Sequence, residues 1–213
     1  MEGEKGMTTR EDILSKLKVN SDCLLNSKID KESFELPDLS LLELTTYSDP
    51  VEKFIESALK ISGAEVVELK SEDNINDIIK QCYPEAKTIG SNLSIVNAQI
   101  NPDTIERASD LMKVEVGVVA GCIGVAENGC IWIPQTMKER AILFASENLM
   151  IILSKKDIVS NMHEAYKIIG AHPEYFDTYR FGTFISGPSK TADIESALVY
   201  GAQAARSVTV ILQ

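Results

Sequence analysis

A polar loop set between an apolar run and a helical pattern near the end of the chain limits the architectures open to it: Phe184-Ile185-Ser186-Gly187-Pro188-Ser189-Lys190-Thr191-Ala192-Asp193-Ile194-Glu195. Phe184 and Ile185 end an extended run. Gly187 and Pro188 break it, because Gly tolerates positive φ and Pro fixes φ while removing a donor. Ser189 or Thr191 then supplies a side-chain oxygen to cap a helix. Behind the cap, Ile194, Ala197, Leu198 and Gly201 fall at i, i+3, i+4 and i+7, one helical face. A strand handing over to a helix in this way points free N–H groups out of a sheet's carboxyl edge, where open α/β sheets bind ligands. A plain βα connection has the same outline, so at this point the stretch speaks for fold class and leaves binding open.

The rhythm upstream agrees. Val51, Phe54, Ile55, Leu59 and Ile61 describe an amphipathic helix, with Asp49 as its cap and Gly63 as its stop. A valine-rich strand over 65–69, a helix over 71–81, a strand near 88–90 and a helix opened by Asn101-Pro102-Asp103 follow. Such alternation predicts right-handed βαβ units and a mostly parallel sheet. After a strand over 116–121, Gly124-Val125-Ala126-Glu127-Asn128-Gly129-Cys130-Ile131-Trp132-Ile133 reads as a β-hairpin insertion. With Asn128-Gly129 as a type I′ turn, Val125 and Trp132 stand opposite each other. A strand over 149–153, a helix over 158–169 and a strand over 208–212 complete an α/β domain spanning 49–213. Residues 1–48 read as an N-terminal arm with a short helix introduced by the capping box Thr8-Thr9-Arg10-Glu11.

Charge narrows the partners. A net charge of −11 and a pI near 4.7 argue against nucleic acid and against an anionic membrane surface. No apolar run approaches the length that spans a bilayer, and the expected setting is cytoplasmic. An anionic ligand in such a chain needs a locally positive or N–H-lined pocket. Cys23, Cys82, Cys122 and Cys130 include no C-x-x-C pair, and His163 and His172 lie nine residues apart. No metal, iron–sulfur cluster or other cofactor is therefore expected on this chain. Gly117, Gly121 and Gly124 lack dinucleotide-binding spacing, and the 187–191 segment lacks the glycines of a phosphate-binding loop.

S-G-P-S-K-T-A-D-I-E, continuing without a gap to Gly201, resembles the C-terminal signature of the LUD-domain family, lactate utilization protein C type. The segment G-V-A-E-N-G-C-I is similar to that family's A-E-T-G-T, with Asn128 and Cys130 where Thr is usual. It is also similar to the S-E-N-G segment of coenzyme A transferases, whose glutamate accepts the acyl group; here Ala126 replaces the serine. Beyond Gly201, Gln203-Ala204-Ala205 stands where the family has His-Gly-Pro.

The resemblance implies a three-layer α/β/α fold of the sugar-phosphate isomerase and coenzyme A transferase type. It implies a subunit of an L-lactate utilization system that oxidises lactate to pyruvate beside iron–sulfur partner proteins. The expected ligand is a small anionic metabolite, a lactate-like carboxylate or a phosphate. It would be held by Ser186, Gly187, Pro188, Ser189, Lys190, Thr191 and Asp193 with Asn128 and Gly129. Glu127 is the candidate catalytic residue: beside a tight turn it is either a solvated carboxylate or, desolvated and partnered, a nucleophile. If both segments matter they should converge, with Glu127 at the carboxyl edge within reach of the 186–191 loop. Arg180 and Arg140 are further candidates to meet an anion. An acyl or coenzyme A transferase using Glu127, and a non-catalytic anion-binding protein, stand as alternatives.

Overall fold

A computed structural model describes residues 14–15, 43–176, 179–192, 197–202 and 205–213. The chain divides into two units, Met1–Glu43 and Leu44–Gln213, and the elements named here belong to the second. The Asp49 carboxylate accepts from the backbone N–H groups of Val51 and Glu52, both at 3.0 Å. With Pro50 in the first turn, that cap starts helix α1 (Pro50–Ser57) where the sequence predicts it. The helix widens into a π turn, Ala58–Ser62, and stops at Gly63, whose φ of 74° is left-handed. Strand β1 (Glu65–Glu68) and helix α2 (Ile75–Cys82) follow, then β2 (Ile89–Gly90) and β3 (Val116–Ala120). Next come β4 (Ile123–Val125), β5 (Cys130–Pro134), the short helix α3 (Ile142–Ala145) and β6 (Asn148–Leu153). The last part holds β7 (Ile158–Val159), α4 (Met162–Ala171), β8 (Gly182–Ile185), β9 (Lys190–Thr191), β10 (Val199–Tyr200) and β11 (Ser207–Leu212).

Five strands form a wholly parallel sheet in the order β1-β11-β6-β3-β2. β1 to β2 crosses the sheet in one direction and the later connections return in the other, and both faces of the sheet are covered. Period-2 alternation divides the side chains accordingly. Val116, Val118, Met150, Ile152 and Ile211 pack with Ile75 and Ile79 of α2. Val119, Leu149, Ile151 and Val210 pack the other way, against Phe54, Ala58, Ile131 and Ile133. The mixed α/β fold with a parallel central sheet is thus the one the strand-helix rhythm predicts.

The hairpin grows into more than an insertion. β4 and β5 sit inside a second sheet, ordered β7-β4-β5-β8. Ile131 and Ile133 of β5 face the parallel sheet's core, while Ile123, Val125, Cys130 and Trp132 pack on Ala165 and Ile169 of α4. Its register also differs from the expected one. Val125 pairs with Cys130, and Trp132 with Ile123, leaving residues 126–129 as a four-residue turn. The cause is β7: Ala126 N–H donates to Val159 O at 2.9 Å and Glu127 N–H to Ser160 O at 3.1 Å. The second of these takes the Glu127 N–H that a two-residue Asn128-Gly129 turn would pair with Cys130. Only Gly129 in the turn is left-handed, at φ 68°. A Cβ there would lie 2.6 Å from the backbone nitrogen of Ala58, so the turn's closeness to α1 also requires glycine.

Three helix expectations are corrected. Asn101-Pro102-Asp103 makes a side-chain-capped turn, Asn101 Oδ1 accepting from Asp103 N–H at 2.9 Å. Asp103 in turn accepts from Lys138 N–H at 2.8 Å, which ties the segment to a neighbouring loop; a 3₁₀ helix comes later, at Ala108–Lys113. The helix expected from residue 158 begins at Met162, since Ile158 and Val159 extend the second sheet. Its start is capped from both sides: Asn161 accepts from Glu164 N–H at 3.0 Å, and the Glu164 carboxylate accepts from the N–H of Ser160, the residue before the cap, at 2.8 Å. Finally, β9 and β10 pair antiparallel, so that Ala197 to Gly201 are not helical as expected; the start of that expected helix, residues 193–196, lies outside the described residues. Leu198 and Tyr200 are exposed there, so an amphipathic helix would have had no core to cover, and helices draw most of their stability from such packing. Among the described residues no helix is long and apolar enough to cross a membrane.

Candidate functional site

The two segments that carry the family resemblance meet on one residue, Ser62, at the end of the π turn. Ser62 Oγ donates to the carbonyl of Asn128 at 2.9 Å and lies 2.9 Å from Ser186 Oγ. Gly187, at φ 68°, passes so close that a Cβ on it would lie 2.0 Å from Ser62 O. Lys190 Nζ donates to the carbonyls of Ile61, at 3.2 Å, and Ser62. Carbonyls at the end of a helical turn lack intrahelical partners and carry partial negative charge, so an ammonium is a fitting cap. The turn at 126–129, the π turn and the 186–190 loop therefore form one hydrogen-bonded junction.

Its position differs from the expectation. Ser62 precedes β1 by three residues, and Ser189 N–H donates to Ala205 O, at 3.1 Å, just ahead of β11. The junction lies at the amino ends of the parallel strands, not at their carboxyl edge. Order along the chain cannot distinguish these ends once β8 belongs to a second sheet. A cleft of about 330 Å³ opens beside the loop. Ser186, Gly187, Ser189 and Lys190 line it, together with apolar Phe144, Leu149, Ala205 and Val208. Of the other expected contacts, Pro188 is buried beside Gly187, and Thr191 pairs with Val199 in the small sheet. Asp193 lies outside the described residues. Arg140 stacks on the Phe181 ring, 4.4 Å from its centroid, and Arg180 is exposed in a turn at φ 49°; neither lines the cleft.

Glu127 turns the other way. Its Oε1 accepts from Met162 N–H at 2.8 Å, at the start of α4, where a carboxylate complements the helix dipole. Cys130 is no better placed as a nucleophile: burial pushes its thiol up to about 12, so the thiolate is absent near neutrality. A Glu127→Ala variant should lose a helix-capping bond and about 1 kcal/mol of stability, whereas Glu127→Gln, which keeps an acceptor oxygen, should lose less. Urea unfolding of the two variants beside the parent checks this; an unchanged midpoint for Glu127→Ala would mean that the cap contributes nothing.

Sequence reasoning missed Ser62. It stands next to Gly63, where a helix stop was the natural reading, and its partners are 66 and 124 residues away. The π turn that presents it has no local sequence signature to set it apart from a last α-helical turn.

Residues 92–213 match the family model described as the LUD domain. Over 102 residues the chain is 30% identical to lactate utilization protein C of Oceanobacillus iheyensis, a match covering 47% of this chain and 44% of that protein. The chain thus spans under half the length of this curated relative. Its fold is similar to the crystal structure, at 1.70 Å resolution, of a DUF162 family protein from Deinococcus radiodurans. That likeness has a TM-score of 0.59 at 13% identity, over 80% of this chain and 99% of the other. With its model matched across more than half of the residues, the chain belongs to the LUD-domain family.

Proposed function

We propose that this chain is a subunit of an L-lactate utilization system and that the cleft beside the 186–190 loop holds a lactate-like carboxylate. The observation that carries the reading is the junction on Ser62, where the two family-like segments meet next to a cleft bordered by Lys190. The relative named lactate utilization protein C supports the same assignment. Lactate gives up two electrons on becoming pyruvate, and in this reading separate iron–sulfur partner subunits accept them. The Lys190 ammonium has three donors, of which the Ile61 and Ser62 carbonyls take two, so one remains for a carboxylate. Glu127 serves the scaffold as a cap on α4 and not as an acyl acceptor.

A deletion strain grown with L-lactate as the carbon source tests the assignment. Growth should fail without this chain and return with the wild-type gene and with Glu127→Gln alike. Undiminished growth of the deletion strain would overturn the lactate reading. Rescue by the wild type alone would return Glu127 to the chemistry.

A further inference from the structure

Hydrogen-bond polarity at the junction says more about the ligand than its charge does. A serine hydroxyl has one proton and two acceptor lone pairs. Ser62 spends its proton on the Asn128 carbonyl, which can only accept. The 2.9 Å bond between Ser62 Oγ and Ser186 Oγ therefore needs the proton of Ser186. Ser62 is 1% exposed and its geometry is set by the turn it closes, so this direction is imposed from inside the protein. Ser186, which is exposed and lines the cleft, is left with lone pairs only. It presents an acceptor to any ligand.

We infer that Ser62 sets Ser186 as an acceptor, so that the cleft selects a 2-hydroxy acid over the corresponding 2-oxo acid. The inference rests on the proposed lactate site and goes beyond it by assigning the discrimination to two serines. A 2-hydroxy acid donates its hydroxyl proton to Ser186 Oγ while its carboxylate accepts from the remaining Lys190 donor. Its short alkyl group then lies against the apolar lining from Leu149, Ala205 and Val208. A 2-oxo acid offers a carbonyl oxygen where the proton is needed, and two acceptors face each other. Sites that bond a ligand hydroxyl reject the analogue lacking it because their own polar group is left unpaired. The reduced acid would therefore be held and the oxidised one released.

Isothermal titration of the isolated chain with sodium L-lactate and with sodium pyruvate tests this. L-lactate should bind about tenfold more tightly. Ser186→Ala, an exposed change that leaves the junction folded, should weaken lactate about tenfold and leave pyruvate within twofold. Ser62→Ala frees the Ser186 proton, so the lactate-to-pyruvate ratio should fall toward one; a melting curve shows whether the variant is folded, and Ser186→Ala decides if it is not. Lys190→Met should weaken both acids alike. Equal affinities in the parent, or a ratio unmoved by Ser186→Ala, would overturn the inference while a Lys190→Met loss still supported the site. Binding of neither acid would overturn both.

Discussion

Replacing Gly187 with alanine should destabilise the domain by about 2–5 kcal/mol and abolish binding at the cleft. Two costs add. At φ 68° an L side chain crowds its own backbone, a penalty of about 1–2 kcal/mol. The new Cβ would also sit 2.0 Å from Ser62 O and 2.7 Å from its carbonyl carbon, which are backbone atoms that cannot rotate away. Forcing atoms into a packed site costs about 1–3 kcal/mol. The loop has one escape, which is to lift off the π turn, and that caps the loss at the free energy of docking. Lifting off would separate Lys190 from the Ile61 and Ser62 carbonyls and Ser186 from Ser62. Gly170 supplies the control. It lies in α4 with open space where a Cβ would stand, so Gly170→Ala should stabilise by about 0.5–1 kcal/mol through helix propensity. Thermal melts in parallel should move in opposite directions, by about 2–4 °C for each kcal/mol in a domain of this size. A Gly187→Ala protein melting with the parent would mean that the loop does not dock on Ser62.

The parts of this fold that were legible in the sequence are those whose cause is local. Asp49-Pro50 and Gly63 bracket α1 because a cap and a left-handed stop act within a turn of the helix. β3, β6 and β11 could be read from short apolar runs because both faces of the parallel sheet are covered, by α2 on one side and the second sheet on the other. The misread parts have distant causes. The 126–129 turn takes its register from Val159 and Ser160, more than thirty residues on. Ala197, Leu198 and Gly201 keep helical spacing, but spacing yields a helix only where a core waits to cover it, and among the described residues β10 is held instead by its pairing with β9. The family-like segments were recognisable one by one. Their meeting was not, since Ser62, the residue that joins them, carries no motif of its own.

The deepest dependence of the site on the core runs through Phe54, and Phe54→Ala should cost about 3–5 kcal/mol. The ring is fully buried in the cluster shared by both sheets. It lies against Gly124, where a Cβ would come within 3.2 Å of its Cε2 and 2.7 Å of Leu153 Cδ2, so the strand, the leucine and the helix close on one another around it. Truncation removes the ring's own transfer free energy and leaves a cavity that Gly124, lacking a side chain, cannot fill. Against the 5–15 kcal/mol that holds a typical domain together, that is a large fraction. In urea the midpoint should fall while the slope stays as in the parent, the mark of lost packing without a change in the surface exposed. The effect should also reach the cleft. α1 runs directly into the π turn, and the turn carries Ser62, so a helix that no longer seats firmly loosens Ser62 from Asn128 and Ser186 together. Phe54→Ala protein that is still folded at 10 °C should accordingly bind L-lactate more weakly than the parent although residue 54 lines no part of the cleft. Unchanged affinity in the folded variant would show that the junction holds itself together without α1 behind it.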